Sequence, residues 1–104
     1  PPFSRMVLAR VDAMDEKEAQ AAATMLARAA RAATRTEEGQ EGLDVRGPSP
    51  APIAKVRNRY RFRVMLRSSS RERLRQGALA IYAAIGTLPR TVRVAIDVDP
   101  VGAL

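Results

Sequence analysis

Apolar and polar positions change their period several times along the chain, and each change marks an element. In RMVLARVD (Arg5–Asp12), Val7, Ala9 and Val11 fall on one side of a pleat and Met6 and Leu8 on the other. Both sides are largely apolar, which predicts a central strand. Asp15 then opens DEKEAQAAATMLARAARAATR. Asp15 followed by Glu18 makes a capping-box-like start, and acids in the first turn suit the helix dipole. Ala22, Leu26, Ala29 and Ala33 are expected to form the inward stripe of this helix. Lys17, Gln20, Arg28, Arg31 and Arg35 are expected to stay in water. Its many alanines favour helix and permit close approach to a sheet.

After a turn-rich loop at Thr36–Gly42, LDVR (Leu43–Arg46) reads as a short strand. Gly47, Pro48, Pro50 and Pro52 are expected to stop its ladder, leaving an extended edge or hairpin connection, because proline has no N–H to give. From about Asn58 to Arg67 the period returns to two: Tyr60, Phe62, Val64 and Leu66 face one way, and Arg59, Arg61, Arg63, Met65 and Arg67 the other. Ser69-Ser70-Arg71-Glu72 has the S-x-x-E form of a capping box opening a second helix. That helix should bury Leu74, Ala78, Ile81, Ile85 and Leu88, with Gly86 as its C′ residue and Pro89 beyond it. Thr91–Asp99 alternates Val92, Val94, Ile96 and Val98 against Arg93, Ala95, Asp97 and Asp99, a half-exposed strand.

The resulting order is β-α-β-β-α-β. It predicts an α+β fold of the split β-α-β, ferredoxin-like kind: a four-stranded antiparallel sheet with two helices on one face and the other face free. The 104 residues are enough for one domain with a modest core, and residues 1–104 are expected to form one.

Composition removes several kinds of chemistry. With no Cys and no His, the chain has no disulfide, no thiolate or imidazole metal site, and no Cys or His catalysis. No Gly-rich phosphate loop is present, and no nucleophile–base pair that needs His or Cys can be built. Asp97 and Asp99 share a strand face but lack a third ligand, so pairing with arginines is expected rather than a metal. No apolar run approaches membrane-spanning length. The fragment is therefore expected to be neither an enzyme nor a membrane protein, with no cofactor of its own.

Charge redirects attention to one stretch. The net charge is +7, yet residues 1–52 carry seven basic and eight acidic side chains, whereas residues 53–104 carry eleven and three. Such asymmetry points to a polyanionic partner. Most of it lies in KVRNRYRFRVMLRSSSRERLR (Lys55–Arg75). Lys55, Arg57, Arg59, Arg61, Arg63 and Arg67 are the candidate nucleic-acid contacts. Same-face neighbours on a strand stand about 6.6 Å apart, twice the strand rise and near the phosphate spacing of an extended single strand. A few basic residues would suffice to guard an edge strand against stray pairing, and this many exceed that need. Phosphates would be contacted without reading bases, and neutralising about four of them predicts a log–log salt slope of about −3. Arg71, Arg73 and Arg75 sit at a helix N-terminus, where cations oppose the dipole. Ser70, Arg71 and Arg75 are therefore the candidate site for an anion such as a peptide carboxylate.

Three stretches in this order, PPFSRMVLAR, RGPSPAPIAKVRNRYRFRVML and VAIDVDPVG, resemble the C-terminal domain of the PriA family of primosomal (replication restart) helicases, also called primosomal protein N'. The resemblance spans essentially the whole chain. It implies a fold like that of a small-subunit ribosomal protein, packed against a helicase core to which residues 1–4 would be the junction. It further implies partners: single-stranded or forked DNA, the acidic tail of single-stranded DNA-binding protein, and other primosome proteins, in a bacterial, cytoplasmic and nucleoid-associated setting. Arg71, in its Ser-Arg context, matches the family arginine implicated in holding that tail. The family's ATP site, 3'-5' helicase activity and zinc-binding cysteines would lie in the remainder of the parent. Where the family often carries tryptophan, this chain has Tyr60 and Phe62. The other readings are a stand-alone ribosomal-type RNA-binding domain and a purely protein-interacting module.

Overall fold

The computed structural model describes residues 5–34 and 42–99. The expected loop at Thr36–Gly42, Arg35 and the expected junction at residues 1–4 lie wholly or largely outside them. Six elements follow in order: β1 (Arg5–Ala13), α1 (Glu16–Ala33), β2 (Asp44–Val56), β3 (Arg59–Ser68), α2 (Arg71–Ile85) and β4 (Arg93–Val98). The strands form an open sheet in the order β2-β3-β1-β4, antiparallel at every pairing. The α+β, split β-α-β arrangement is as the periodicity predicts.

β1 and β3 are the two inner strands, and their alternation builds the core. Val7, Ala9, Val11 and Ala13 from β1 meet Phe62, Val64 and Leu66 from β3 beneath the helices. Asp15 caps α1, its carboxylate accepting the Glu18 N–H at 3.2 Å. Ala19, Ala22, Ala23, Ala27 and Ala30 surround a fully buried Leu26. With mostly methyl groups on its inward face, α1 packs against β1, β2 and β3 as well as α2. The buried stripe is rotated from the expected one: Ala33 is exposed and Ala29 half-buried, while Ala19, Ala23, Ala27 and Ala30 are inside. When most candidate positions are alanine, the inward face is chosen by the few larger residues and by the sheet, not by alanine spacing.

α2 buries Leu74, Gly77 and Ile81, with Ala78, Ile85 and Leu88 only half-buried. Gly77 is a point of close approach: a Cβ there would stand 2.6 Å from Leu43 Cδ2 and 3.2 Å from Leu66 Cδ1. Its N-cap is Ser70, which accepts the Arg73 N–H at 3.2 Å, so the S-x-x-E frame starting at Ser69 is one residue early. Ser68 explains the shift. Its hydroxyl accepts the Ser70 N–H at 3.0 Å and donates to the Gly42 carbonyl at 3.1 Å, keeping the chain out of the helix until Ser70. Gly86 closes α2 in a right-handed conformation (φ −62°), not the left-handed one expected of a C′ glycine. Thr87 instead completes the turn, its N–H and hydroxyl both donating to the Ala84 carbonyl.

The largest departure from expectation is β2. Its ladder does not stop at Arg46 but runs on past Pro48, Pro50 and Pro52 to Val56. Two irregularities make this possible. Arg46 pairs with Met65 and Ser49 with Arg63, so β2 spends one extra residue there; Pro50 pairs with Phe62 and Lys55 with Tyr60, so four β2 residues stand opposite Arg61 alone. Because β2 is an edge strand, proline's missing donor can be placed at the bulges or away from β3. Gly47 (φ +109°) serves the first bulge; a Cβ there would lie 2.6 Å from the Arg63 carbonyl oxygen. Arg31 of α1 fastens the same segment, donating to the carbonyls of Val45 and Gly47 at 3.1 and 3.2 Å. Arg57 and Asn58, both with positive φ, form a two-residue hairpin turn into β3.

Candidate nucleic-acid interface

Both helices lie on one face, so the pleat delivers every second residue of β1, β3 and β4 to the other. Cross-strand register aligns them in rows: Met6 with Arg67, Leu8 with Met65 and Asp97, Arg10 with Arg63 and Ala95, and Asp12 with Arg61 and Arg93. Arg59, Arg61, Arg63 and Arg67 thus stand along β3 on the open face, each partly exposed. Phe62, Val64 and Leu66 are buried on the opposite side, and Tyr60 half-buried, which is the sorting that the alternation predicts.

These arginines are not electrostatically equivalent. Arg59 is bound to Asp12: its Nε donates to the carboxylate and a terminal nitrogen to the Asp12 backbone carbonyl at 3.2 Å. Arg93 of β4 donates to the same carboxylate at 3.0 Å. Burial pushes the Asp12 carboxyl up, but the hydrogen bonds and charges of Arg59 and Arg93 outweigh it and hold the group below its ordinary value. Arg10 pairs with Asp97 at 2.9 Å, Arg46 with Asp44 at 3.0 Å, and Arg5 with Asp99 at 4.0 Å. The expected pairing of Asp97 and Asp99 with arginines is therefore present. Asp99 also accepts the Met6 N–H at 2.9 Å, closing the end of the β1–β4 ladder.

Arg61, Arg63 and Arg67 remain. Among the described residues none of the three has a carboxylate within 4.0 Å. Arg61 reaches across the wide bulge to the Ile53 carbonyl at 3.4 Å, which orients it without neutralising it. Beside them Met6, Leu8 and Met65 form a small apolar cluster within the charged face.

The two ends of the candidate stretch behave differently. Arg57 sits in the turn, yet with Arg59, Arg61 and Arg93 it lines a hollow of about 300 Å³ beside Asp12. Lys55 is set apart: it pairs with Tyr60, and its Nζ lies 5.0 Å from the centre of that ring, on the side away from the arginine row. Ser70 is occupied as a helix cap. Arg71 and Arg75, both exposed, project from the first turns of α2 into a second hollow of about 290 Å³. Arg5 shares it, along with Val7, Leu74, Ala78, Val98 and Asp99, the carboxylate that pairs with Arg5.

Sequence reasoning missed Arg5, Arg10, Asp12 and Arg93 as parts of these surfaces. Arg10 and Asp12 continue the alternation that places Met6 and Leu8 on the open face, so the signal for them was present. Their partners lie 47 to 87 residues away in sequence, and only the register reveals which charges cancel. None of the described helices is long and apolar enough to cross a membrane.

Comparison with solved structures supports the fold. A de novo designed protein, Foldit4, superposes with a TM-score of 0.68 at 12% identity, covering 94% of this chain and 98% of that one. Part of a hydantoinase/carbamoylase family amidase from Burkholderia ambifaria superposes with a TM-score of 0.58 at 18% identity, covering 91% of this chain and 27% of the amidase. At such identities the likeness concerns architecture alone. In sequence, the chain is 32% identical over 100 residues to a protein described as "Probable replication restart protein PriA" from Deinococcus radiodurans. The match covers 96% of this chain and 10% of that relative, so the chain spans about a tenth of the relative's length. The model of the primosomal protein N C-terminal domain matches residues 1–101. With the split β-α-β sheet and its arginine-bearing open face, the chain belongs to the primosomal protein N C-terminal domain family.

Proposed function

We propose that the chain is an accessory nucleic-acid-binding domain of a longer replication-restart protein, and that the open face of its sheet tracks the phosphates of single-stranded or forked DNA. The observation that carries this reading is the row of Arg61, Arg63 and Arg67, cationic, partly exposed and without a carboxylate partner among the described residues, on a central strand. A rigid inner strand presents them without the conformational cost of ordering a loop. The ATP-binding, zinc-binding and 3'-5' helicase functions belong, in this reading, to the remainder of the parent. Family membership and the likeness to a restart protein support a DNA-related, bacterial context over a ribosomal one.

The structure sharpens the expected strength. With Arg59 paired to Asp12, Lys55 turned away and Arg57 out in the hairpin turn, the row of Arg61, Arg63 and Arg67 engages three phosphates rather than four, and the log–log salt slope becomes about −2 for a single strand. Anisotropy titrations of a labelled oligodeoxynucleotide at several salt concentrations measure this slope. Arg63→Ala should reduce it by about 0.7 and weaken all sequences alike. Binding that ignores salt would remove the arginine row from the explanation.

A second reading coexists with the first and rests on the hollow beside α2. Arg71 and Arg75, with Arg5 already paired to Asp99 at the rim, border a floor of Val7, Leu74, Ala78 and Val98, a combination suited to a peptide end carrying both carboxylates and apolar side chains. The acidic tail of single-stranded DNA-binding protein has that chemistry. Arg71→Ala should weaken binding of an acidic peptide and leave oligonucleotide binding unchanged; Arg61→Ala should do the reverse. Equal loss of both ligands in both variants would rule out two separate surfaces.

A further inference from the structure

The bulge that carries β2 past its prolines also leaves a depression on the open face. Four residues of β2 stand opposite Arg61 alone, so the strand bows away from β3 and opens a space of about 200 Å³. Leu8, Ala51, Pro52 and Ala95 give it apolar walls, Arg10, Arg61 and Arg63 are the cations that line it, and Asp12, the carboxylate among its lining residues, is already held by Arg59 and Arg93. Its volume is below the roughly 300–1,000 Å³ of pockets that enclose a whole small-molecule ligand. It suits one flat group projecting from a longer chain.

Arg10 gives the depression a specific chemistry. Its guanidinium meets Asp97 at two points, Nε to Oδ2 at 2.9 Å and a terminal nitrogen to Oδ1 at 3.5 Å. A carboxylate that meets two nitrogens of one guanidinium orients the group, the Arg10 side chain is 48% exposed, and an oriented guanidinium plane is a surface on which a base can stack. The depression therefore has a stacking plate, whereas among the described residues the open-face positions of β1, β3 and β4 carry no aromatic side chain. On one side of this plate, Arg63 pairs directly with Arg10 in the β1–β3 register and has no carboxylate partner among the described residues. It is placed to take the phosphate next to a base seated there.

We propose that this depression receives one unstacked base of a single DNA strand whose phosphates follow Arg61, Arg63 and Arg67. The inference rests on the nucleic-acid reading above and adds a base-binding subsite to it. Arg10, which makes an ion pair and so contributes little to the phosphate track, becomes a stacking residue.

The test compares, by anisotropy, a short oligodeoxynucleotide with an abasic strand of the same length and charge. Stacking a base contributes about 1–3 kcal/mol, so the abasic strand should bind about tenfold more weakly. Arg10→Lys keeps the charge but loses the plane, and Ala95→Leu fills the space from an exposed position. Each should abolish most of the difference while leaving the salt slope unchanged. A circular-dichroism melt of each variant checks that the fold persists. Equal affinity for both strands, with salt dependence intact, refutes the subsite and leaves the phosphate track standing. A base preference that survives both substitutions in folded protein also refutes it. If neither strand binds, the nucleic-acid reading fails, and the subsite with it.

Discussion

Asp12 is the residue whose substitution tests the electrostatic reasoning most directly. Asp12→Asn preserves the shape of the side chain and removes its charge. Two charge-assisted hydrogen bonds are weakened, and they differ in worth. The Arg59–Asp12 pair is mostly shielded, with side chains 20% and 28% exposed, whereas Arg93 is 66% exposed. A hydrogen bond to a charged group contributes about 1.5–3 kcal/mol, and an exposed ion pair about 0–1 kcal/mol. Arg59 keeps its bonds to the carbonyls of Asp12 and Thr91, so it is not orphaned. The expected loss is about 2 kcal/mol, which for a domain of this size lowers Tm by roughly 8–16 °C. Asp97→Asn is the control. Its pair with Arg10 is 38% and 48% exposed, and its loss should remain within about 1 kcal/mol.

The pH dependence has a definite sign. The folded-state pKa of Asp12 is depressed, so its stabilising contribution is fully present above the unfolded value of about 3.9 and is lost as pH falls through the lower folded value. The gap in stability between wild type and Asp12→Asn should therefore be constant near neutrality and close in strong acid. Urea titrations followed by circular dichroism across this range give both numbers. If Asp12→Asn and Asp97→Asn cost the same at neutral pH, or if their gap does not close in acid, the assignment of Asp12 as the neutraliser of Arg59 is refuted. The same variant frees two arginines on the open face, so it should bind single-stranded DNA more tightly, with a salt slope steeper by about 0.7 for each phosphate gained.

Gly47→Ala should destabilise by about 2–3 kcal/mol in urea titrations, because φ +109° and a backbone oxygen 2.6 Å from the new Cβ leave neither side room to relax. Ser70→Ala should cost about 1 kcal/mol and Ser69→Ala close to nothing, a contrast that locates the cap of α2 by thermal denaturation. Leu26→Ala should cost about 2–5 kcal/mol, while truncating its neighbour Met25, which is 45% exposed, should change stability by less than about 0.5 kcal/mol.

What could be read from the chain in advance divides along physical lines. β1, β3 and the start of α1 are legible, and the start of α2 to within one residue, because a local rule governs each: a period-two run of large apolar residues, or a capping side chain a few residues from its target. β2 is not legible beyond Arg46, because a proline signals only the loss of a donor and not the bulge that accommodates it. The inward face of α1 is ambiguous because alanine is found inside and outside alike, and only Leu26 anchors it. The arginine row was visible as a pattern of residue types. Which of its members are free was not, since Asp12 cancels Arg59 from 47 positions away and Arg93 joins from 81.

The two borders of the sheet have opposite tolerances for a newcomer. Along β2, three prolines and two bulges interrupt the row of outward donors, and a strand arriving there would find few partners in register. Along β4, six residues without proline are paired, among the described residues, only with β1. The sheet is thus a structure with a direction: it is sealed at one border and can lengthen only at the other. Any β-strand contributed from outside, whether by another part of a longer protein or by a second copy at high concentration, would join next to β4. It would arrive alongside the hollow of Arg71 and at the opposite border from the bulge that opens the depression beside Arg61.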